Sequence, residues 1–504
     1  MRKNIVILLN LGEKIMKVKN FLIRQRDNNK VAVKCNDEVM TYSQWYKLSK
    51  ELAEKFNSKL DKSSKNIGII LPNSIDYCVA YFAILFSERV IVPISYDATS
   101  EELRNIIEFC EIDLLISNSD KLDFIQKVLS NYNYSVEIYD CFTAKFIIPF
   151  KNRGLISKSK IDIGDTVILL HTSGSTSAPK RVMLTNKNLV SNVESNIQSL
   201  KLSSEDKVLI SLPILFGYSN TSQFLTHTYL GATIVIFNGL MLPRFLFSII
   251  KKEGITNYTV VPSVINAILE DRKSLPIDLP NLRYICFGGG PISISKLNNF
   301  IQLFPKIGIV QTYGQTEASP RITALLPKYK VSKLGSVGKP IPNVEIKISS
   351  EEYEKCNSKQ IGEILVKSSG VMRGYYKDQA ATNATIVDGW LHTGDLGYFD
   401  EEGFLFITGR KKNIIISGGV NISAEEIESI LLEHHNVKEV YVYSKSDDYL
   451  IEVPCADIVV YDEAIDNNFQ QFCSERLSSL KVPREFNIVK ELPKTYNGKI
   501  RRLK

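Results

Sequence analysis

Residues 165–197 read DTVILLHTSGSTSAPKRVMLTNKNLVSNVESNI, and this stretch decides the fold. Its apolar start, 165–170, is typical of a buried strand. Thr185 is a suitable N-cap, and the apolar residues after it recur at helical spacing, which predicts a helix with one buried face (Leu189, Val190, Val193 and Ile197). Strand, loop and helix in this order form the repeating unit of an α/β fold.

The loop between this strand and this helix has the composition of a phosphate-binding loop. It offers a glycine for close backbone approach, a cation, and four hydroxyl residues (Gly174, Lys180, Thr172, Ser173, Ser175 and Thr176). A Walker A loop would need glycine at Pro179 and a hydroxyl residue at Arg181, so a P-loop kinase or GTPase is disfavoured. On its own composition the loop is either a phosphate site or an ordinary connection.

The same α/β sequence pattern extends from about residue 30 to about residue 410. Short β-rich runs alternate there with helix-period segments, which predicts stacked βαβ units (runs at 66–72, 165–170, 282–287 and 306–312). In open sheets of this kind, ligands bind at the carboxyl ends of the strands.

After residue 410 the pattern changes to that of a small α+β domain. NISAEEIESILLEH, 421–434, predicts a helix that begins at a capping box of Ser423 and Glu426. Two strand-like segments, 437–444 and 456–461, and a helical segment, 467–480, follow. We therefore expect a large N-terminal α/β domain and a small C-terminal α+β domain, with a boundary near 409–413.

Composition argues against several classes of function. The chain has 504 residues, and its 62 basic and 55 acidic side chains give a net charge of +7 that is spread along the sequence, which does not favour nucleic-acid binding. The eight cysteines show no metal-ligand spacing, so reduced thiols in a cytoplasmic protein are expected. The apolar run near the N-terminus is too short for a secretory signal or a membrane span, and we expect no stable membrane insertion.

Five segments together resemble the AMP-forming adenylating enzymes, the superfamily of acyl-CoA synthetases, peptide-synthetase adenylation domains and luciferases. TSGSTSAPK at 172–180 is similar to their phosphate loop. In the family's order follow QTYGQTE at 311–317, GSVGKPIPN at 335–343, GWLHTGDLGYFDEEGFLFITGRKKN at 389–413 and PKTYNGKIRR at 493–502. The resemblance extends from about Thr41 to the last residue.

The resemblance implies a reaction and a domain arrangement. A carboxylic acid attacks the α-phosphate of ATP, pyrophosphate leaves, and the acyl group then passes to the thiol of CoA. An adenylate-forming domain (16–409), a hinge (410–414) and a mobile C-terminal lid (415–504) would alternate between these steps. Separately from the resemblance, Met16 could be the true start, which would leave residues 1–15 as a dispensable extension.

The resemblance also implies the site residues. Lys499 would act on the carboxylate and α-phosphate oxygens, Thr316 would contact the α-phosphate, and Glu317 with Thr176 would bind Mg²⁺. Residues 172–176 and Lys180 would hold the β- and γ-phosphates. The remaining nucleotide contacts would come from the glycine strip, the YGQ segment and the ribose residues (Gly289, Gly290, Pro291, Tyr313, Gly314, Gln315, Asp395 and Arg410). Gly418 and Gly419 would border the pantetheine tunnel.

The hinge segment resembles that of acyl-CoA synthetases, although Asn413 replaces the usual hinge aspartate. Gly217 stands where adenylating domains for α-amino acids place an aspartate, so an acid without an α-amino group is favoured, because an unpaired buried ammonium is costly. Candidate acyl-pocket residues, which could equally be plain core, are Phe216, Tyr218, Asn220, Val261, Phe287 and Gly288.

Several alternatives stay open at this point. The acceptor could be the phosphopantetheine of an acyl carrier protein in place of CoA, and the chain could be a monomer or a homodimer. A catalytically degenerate nucleotide-binding protein and an oxidoreductase of the luciferase branch are the other classes. The departures from the family pattern at Ser177, Arg181, 87–89 and Ala424 remove no group that performs chemistry.

Overall fold

The structure is a computed structural model that describes residues 16–61, 63, 65–130, 136–147, 161–171, 180–275, 278–290, 292–349, 355–356, 359–417, 420–465, 467–494, 500 and 502. Within these ranges no helix is long and apolar enough to cross a membrane.

The strands, in chain order, are β1 (Val31–Cys35), β2 (Glu38–Thr41), β3 (Asn66–Ile69), β4 (Val90–Pro93), β5 (Ile112–Ser117), β6 (Glu137–Asp140), β7 (Lys145–Ile147), β8 (Thr166–His171), β9 (Arg181–Thr185), β10 (Lys207–Ile210), β11 (Thr233–Ile236), β12 (Asn257–Val260), β13 (Tyr284–Phe287), β14 (Gly308–Gly314), β15 (Arg321–Leu325), β16 (Lys339–Pro340), β17 (Val344–Ile348), β18 (Lys355–Cys356), β19 (Lys359–Gln360), β20 (Gly362–Ser368), β21 (Gly374–Tyr375), β22 (Ile386–Val387), β23 (Trp390–Phe399), β24 (Leu405–Arg410), β25 (Ile414–Ser417), β26 (Val420–Ser423), β27 (Val437–Asp447), β28 (Ile451–Val460) and β29 (Glu485–Ile488).

The α-helices are α1 (Asn20–Ile23), α2 (Tyr42–Lys59), α3 (Ile75–Phe86), α4 (Ser100–Phe109), α5 (Ser119–Ser130), α6 (Asn186–Leu200), α7 (Gly217–Ser219), α8 (Thr226–Leu230), α9 (Pro243–Glu253), α10 (Pro262–Glu270), α11 (Ile294–Leu303), α12 (Gln379–Thr385), α13 (Ala424–Leu431) and α14 (Phe469–Ser474). A π-helix, Asn220–Leu225, joins α7 to α8, and short 3₁₀ helices lie at Arg272–Ser274, Thr316–Ala318, Pro327–Tyr329 and Lys411–Asn413.

Two large mixed sheets form most of the N-terminal part. The eight-stranded sheet has the order β21-β9-β8-β4-β3-β5-β6-β7, and the nine-stranded sheet has the order β16-β15-β14-β13-β12-β10-β11-β1-β2. Their faces carry the largest clusters of buried apolar side chains in the described part of the chain. Continuous apolar strands are expected where helices cover both faces of a sheet.

Parallel pairing within the nine-stranded sheet positions the site. Strands β10, β12, β13 and β14 are mutually parallel neighbours. Their carboxyl ends therefore lie at one edge, where an open α/β sheet binds its ligands. Strand β14 then reverses into antiparallel β15 through the 3₁₀ turn Thr316–Ala318.

Two smaller sheets complete the fold. A five-stranded sheet contains β17, β20, β23, β22 and β24, and it carries Asp395 on β23 and Arg410 at the end of β24. The C-terminal sheet contains β26, β25, β28, β27 and β29, and α13 and α14 pack on it around their own apolar core. The predicted fold class, a large multi-sheet α/β domain followed by a small α+β domain, is confirmed.

The structure corrects two local predictions. Thr185 is the N-cap of α6, as predicted, but residues 181–185 form strand β9, which pairs with β8, so the helix does not follow the loop directly. Ser423 caps α13 by accepting from the Glu426 backbone amide, whereas the Glu426 carboxylate bonds to Lys481 instead of closing a capping box. The long lysine side chain competes successfully for that carboxylate.

Candidate nucleotide and acyl site

Glycines build the floor of the candidate site at the carboxyl end of β13. A Cβ on Gly288 would lie 2.5 Å from the backbone oxygen of Thr312, so only glycine fits there. Gly289 has φ +86°, which L side chains rarely adopt, and it and Gly290 are exposed. At Gly289 and Gly290 the strip presents exposed backbone without a side chain.

Gly314 is equally restricted at the end of β14. A Cβ at this position would lie 1.7 Å from the Pro320 backbone oxygen, because β14 and β15 close on each other there. The next residue, Gln315, has a buried Nε2 that finds no hydrogen-bond partner among the described residues. A buried donor without a partner at this edge suits the oxygen of a bound ligand.

Tyr313, Asp395 and Arg410 form one hydrogen-bonded group. The Tyr313 hydroxyl donates to Asp395 Oδ2 at 2.7 Å, and Arg410 Nε lies 2.8 Å from Asp395 Oδ1. Asp395 is 3% exposed, whereas the Arg410 side chain is 49% exposed. Burial raises the pKa of Tyr313, and the Asp395 carboxylate raises the pKa of Arg410. Asp395 is thus held on one side by the Tyr313 hydroxyl and on the other by the Arg410 guanidinium.

Glu317 and Lys180 meet at Tyr375. The Tyr375 hydroxyl donates to Glu317 Oε1 at 2.9 Å, and Lys180 Nζ lies 4.7 Å from the centroid of the Tyr375 ring. Burial raises the pKa of Glu317, and the hydrogen bond from Tyr375 acts in the opposite direction. One ring thus contacts both the acid and the cation that the sequence assigned to the phosphate region.

The acyl-pocket candidates line the same edge. Tyr218 on α7 shares a 2.8 Å hydrogen bond with Thr312 Oγ1, and burial raises the pKa of Tyr218 to about 12. A Cβ on Gly217 would lie 3.6 Å from Thr316 Oγ1, so α7 sits against the turn that carries Thr316 and Glu317. Of the other candidates, Asn220, Phe287 and Gly288 are buried, and Phe216 and Val261 are partly exposed.

Asn413, in the predicted hinge segment, and Arg502 both contact helix α13. Asn413 Nδ2 donates to Glu425 Oε1, and Arg502 Nη2 lies 3.5 Å from the same carboxylate oxygen. Arg502 also binds both carboxylate oxygens of Glu428, at 2.9 and 2.7 Å. Arg502 is therefore held at helix α13 through Glu425 and Glu428.

The structure thus groups the described sequence-predicted residues at one edge: Lys180, Gly289, Gly290, Tyr313, Gly314, Gln315, Thr316, Glu317, Asp395 and Arg410. Residues 172–176, Pro291, Gly418, Gly419 and Lys499 lie outside the described residues.

Two further residues at this edge were missed by sequence reasoning. Tyr375 and Arg321 carried no motif that the sequence reasoning used. The available signals were an aromatic pair after a glycine, at 374–376, and a charged residue opening the apolar run RITALL, at 321–326.

The family matches agree with this geometry. Residues 23–376 match the family of AMP-binding enzymes, and residues 426–499 match the AMP-binding enzyme C-terminal domain. The chain belongs to the AMP-binding enzyme family, as the ordered motifs predicted.

Relatives within the family indicate the class of enzyme. The chain is 33% identical over 477 residues to a 2-succinylbenzoate–CoA ligase of Bacillus licheniformis, which covers 94% of this chain and 96% of the relative. It is 30% identical to the ligase of the same name from Bacillus subtilis, covering 94% of each. The solved structure of o-succinylbenzoate coenzyme A synthetase from Bacillus subtilis in complex with ATP and a magnesium ion matches with a TM-score of 0.83 and 28% identity, over 96% of this chain and 98% of that one.

These matches confirm the predicted class of enzyme, an AMP-forming acid–CoA ligase. The predicted use of ATP, Mg²⁺ and CoA is confirmed at the same level. An anthranilate CoA ligase at 22% identity, with a TM-score of 0.84, shares the fold.

Proposed function

We propose that this chain joins an aromatic dicarboxylic acid, 2-succinylbenzoate, to CoA through an acyl-adenylate. The observation that carries the proposal is the match over nearly the whole length of both chains to ligases named for this acid. Gly217 supports it, because the chain offers no carboxylate there for an α-ammonium group.

The nucleotide would lie with its adenine on the strip Gly288–Gly290 and its ribose at Asp395. That carboxylate has spare lone pairs beyond its bonds from Tyr313 and Arg410, so it can accept from sugar hydroxyls. Arg410 would hold the carboxylate in place. Thr316 and the unpartnered amide of Gln315 would donate toward the α-phosphate.

Glu317 fits a magnesium ion. Mg²⁺ is commonly bound through one or two carboxylates together with substrate phosphates, so a single glutamate is a sufficient protein ligand, with Thr176 in support. When bound, the ion neutralises charge on the phosphate oxygens. Tyr375 would hold the Glu317 carboxylate, and Lys180 would face the leaving pyrophosphate.

Lys499 would stabilise the charge that develops as the acid carboxylate attacks the α-phosphate. The hinge at 410–414 would then turn the lid, 415–504, so that Gly418 and Gly419 border the path of the CoA thiol to the acyl carbonyl. Hinges are a few residues that absorb large backbone changes. Because ATP and CoA are intracellular substrates, we also propose that the enzyme acts in the cytoplasm.

The test is a pyrophosphate-release assay on the whole chain across aromatic, aliphatic and amino acids, with and without CoA, and with mass detection of the thioester. We expect 2-succinylbenzoate to give the highest kcat/KM and a CoA thioester. A thioester that forms only on an acyl carrier protein would contradict the assigned acceptor, and a higher kcat/KM for another acid would contradict the assigned substrate.

A further inference from the structure

Arg321 is a buried cation at the acyl side of the site. It opens β15 opposite Gly314 and is 3% exposed. Its guanidinium carbon lies 6.0 Å from the centroid of the Tyr218 ring, and its Nη1 donates to Asn196 Oδ1 on α6.

This guanidinium is incompletely paired. Among the residues that the structure describes, no carboxylate forms an ion pair with Arg321, and its buried Nε has no hydrogen-bond partner. Arg89, another buried arginine, donates instead to Asn57 and to three backbone carbonyls. A buried charge without a counter-ion is unfavourable unless something else pairs with it.

Arg321 contacts the candidate site through Tyr218, which lies next to Gly217 in α7. Tyr218, whose ring it approaches, bonds to Thr312 beside the glycine strip. Gly217, the neighbour of Tyr218, is in contact distance of Thr316. The guanidinium therefore lies beside Tyr218, one of the acyl-pocket candidates.

The surrounding wall is rich in polar atoms without partners. The buried π-helix Asn220–Leu225 leaves Asn220 Nδ2, Thr221 Oγ1 and Ser222 Oγ without hydrogen bonds among the described residues. Asn196 joins this wall to Arg321, because its Nδ2 donates to the Ser222 carbonyl at 3.1 Å. Such π-helical turns are frequent at functional sites.

We propose that Arg321 binds the second carboxylate of the substrate, the one that is not adenylated, and so selects dicarboxylic acids. A planar guanidinium is the side chain best suited to pair with a carboxylate away from water. The inference rests on the proposed acid–CoA ligation, and it names the residue that recognises the acid. It requires a dicarboxylate but does not require that the dicarboxylate is 2-succinylbenzoate.

The test compares matched acids on Arg321→Gln. 2-Succinylbenzoate is paired with 4-oxo-4-phenylbutanoate, which lacks the ring carboxylate, and with 2-butanoylbenzoate, which lacks the chain carboxylate. For Arg321→Gln we expect kcat/KM for the dicarboxylate to fall about 30-fold or more, mainly through KM, because a buried charge pair loses one partner. The kcat/KM values for the monoacids should change by less than about threefold, since they make no such pair.

Asn196→Asp is a second variant that keeps Arg321. The new carboxylate would pair with the guanidinium from within the protein, so selectivity for the dicarboxylate should fall while kcat/KM for the monoacids stays within about threefold. The melting temperature should fall modestly, because the bonds that Asn196 Nδ2 donates to the Ser222 carbonyl and to Thr226 Oγ1 are lost. This variant decides the question if Arg321→Gln does not fold.

A purely structural Arg321 would give a different pattern. Arg321→Gln would then lower kcat/KM for all three acids equally, together with the melting temperature, and this result would overturn the inference. If the wild type does not ligate 2-succinylbenzoate, the proposed function fails, and the inference is then tested on other dicarboxylates against their monoacids. It stands if the wild type prefers the dicarboxylates and Arg321→Gln abolishes that preference, and it falls if the wild type prefers monoacids.

Discussion

Tyr375→Phe removes the one side-chain hydrogen bond that Glu317 makes with another described residue. The hydroxyl donates to Glu317 Oε1 at 2.9 Å, while the ring, 7% exposed, stays in place and keeps its contact with Lys180. Pairing of β21 with β9 and a 2.9 Å bond from the Tyr375 amide to Thr382 Oγ1 fix the backbone, so phenylalanine should pack in the same position.

The expected cost follows from the kind of bond that is lost. A hydrogen bond to a charged group contributes about 1.5–3 kcal/mol, which corresponds to a factor of about 10–100. This loss should appear as a higher Mg²⁺ requirement and a slower ATP–pyrophosphate exchange. Conversion of supplied acyl-adenylate to thioester should not change, because that step uses neither Glu317 nor Lys180.

The assay measures pyrophosphate exchange against Mg²⁺ concentration and, separately, Mn²⁺ binding by electron paramagnetic resonance in the presence of ATP. Tyr376→Phe is the matched control, since Tyr376 is also buried but packs against Phe109. Tyr375→Leu should have a larger effect, because it also removes the ring beneath Lys180. Unchanged metal affinity and exchange in Tyr375→Phe would refute the role given to this contact.

Three other outcomes are expected. Asp395→Asn should raise the KM for ATP about 10–100-fold, because a charged acceptor is lost. An unchanged KM would show that Asp395 does not bind the ribose. Lys499→Ala should slow adenylation about 100-fold or more yet still convert supplied acyl-adenylate to the thioester. Gly419→Leu should adenylate normally but fail to transfer the acyl group to CoA. Equal loss of both steps in either variant would contradict the role given to that residue. Burial lowers the pKa of His227 to about 4, below its unfolded value of about 6.5. The folded protein therefore favours the neutral ring, which stabilises the fold above about pH 6.5. This contribution, on the order of 3 kcal/mol, is lost as the pH falls toward 4. His227→Gln should therefore lose less melting temperature than the wild type between pH 7 and pH 5, and an identical loss would exclude His227 as the cause.

Much of the fold could be predicted because its signals are local. The apolar runs that became β3, β8, β13 and β14 are continuous in sequence, and Thr185 caps the helix that follows it. Glycine motifs at strand ends likewise predicted a shared edge, and the structure brings Gly289, Gly290 and Gly314 to the carboxyl ends of β13 and β14. Residues 181–185 were not predicted as a strand, because their pairing with β8 is formed across the loop and leaves no periodic signal of its own.

The contacts inside the site depend on distant parts of the chain. Tyr375 and Glu317 are hydrogen-bonded although 58 residues separate them in sequence, and Tyr313 and Asp395 are hydrogen-bonded although 82 residues separate them. Strand pairing in separate sheets brings these residues together. Arg321 was missed for another reason. Arginine in sequence normally indicates an exposed position, and only the packing of β15 against α6 and Tyr218 shows that this one is buried.

The most direct test of the central claim follows oxygen from the acid into the nucleotide. 2-Succinylbenzoate labelled with ¹⁸O in its carboxylates is incubated with the enzyme, ATP, Mg²⁺ and CoA, and the products are resolved by mass spectrometry. Attack of the carboxylate on the α-phosphate, followed by transfer to the thiol, places one ¹⁸O in AMP for each thioester formed. Label in orthophosphate together with ADP, or a thioester formed without labelled AMP, would contradict the account.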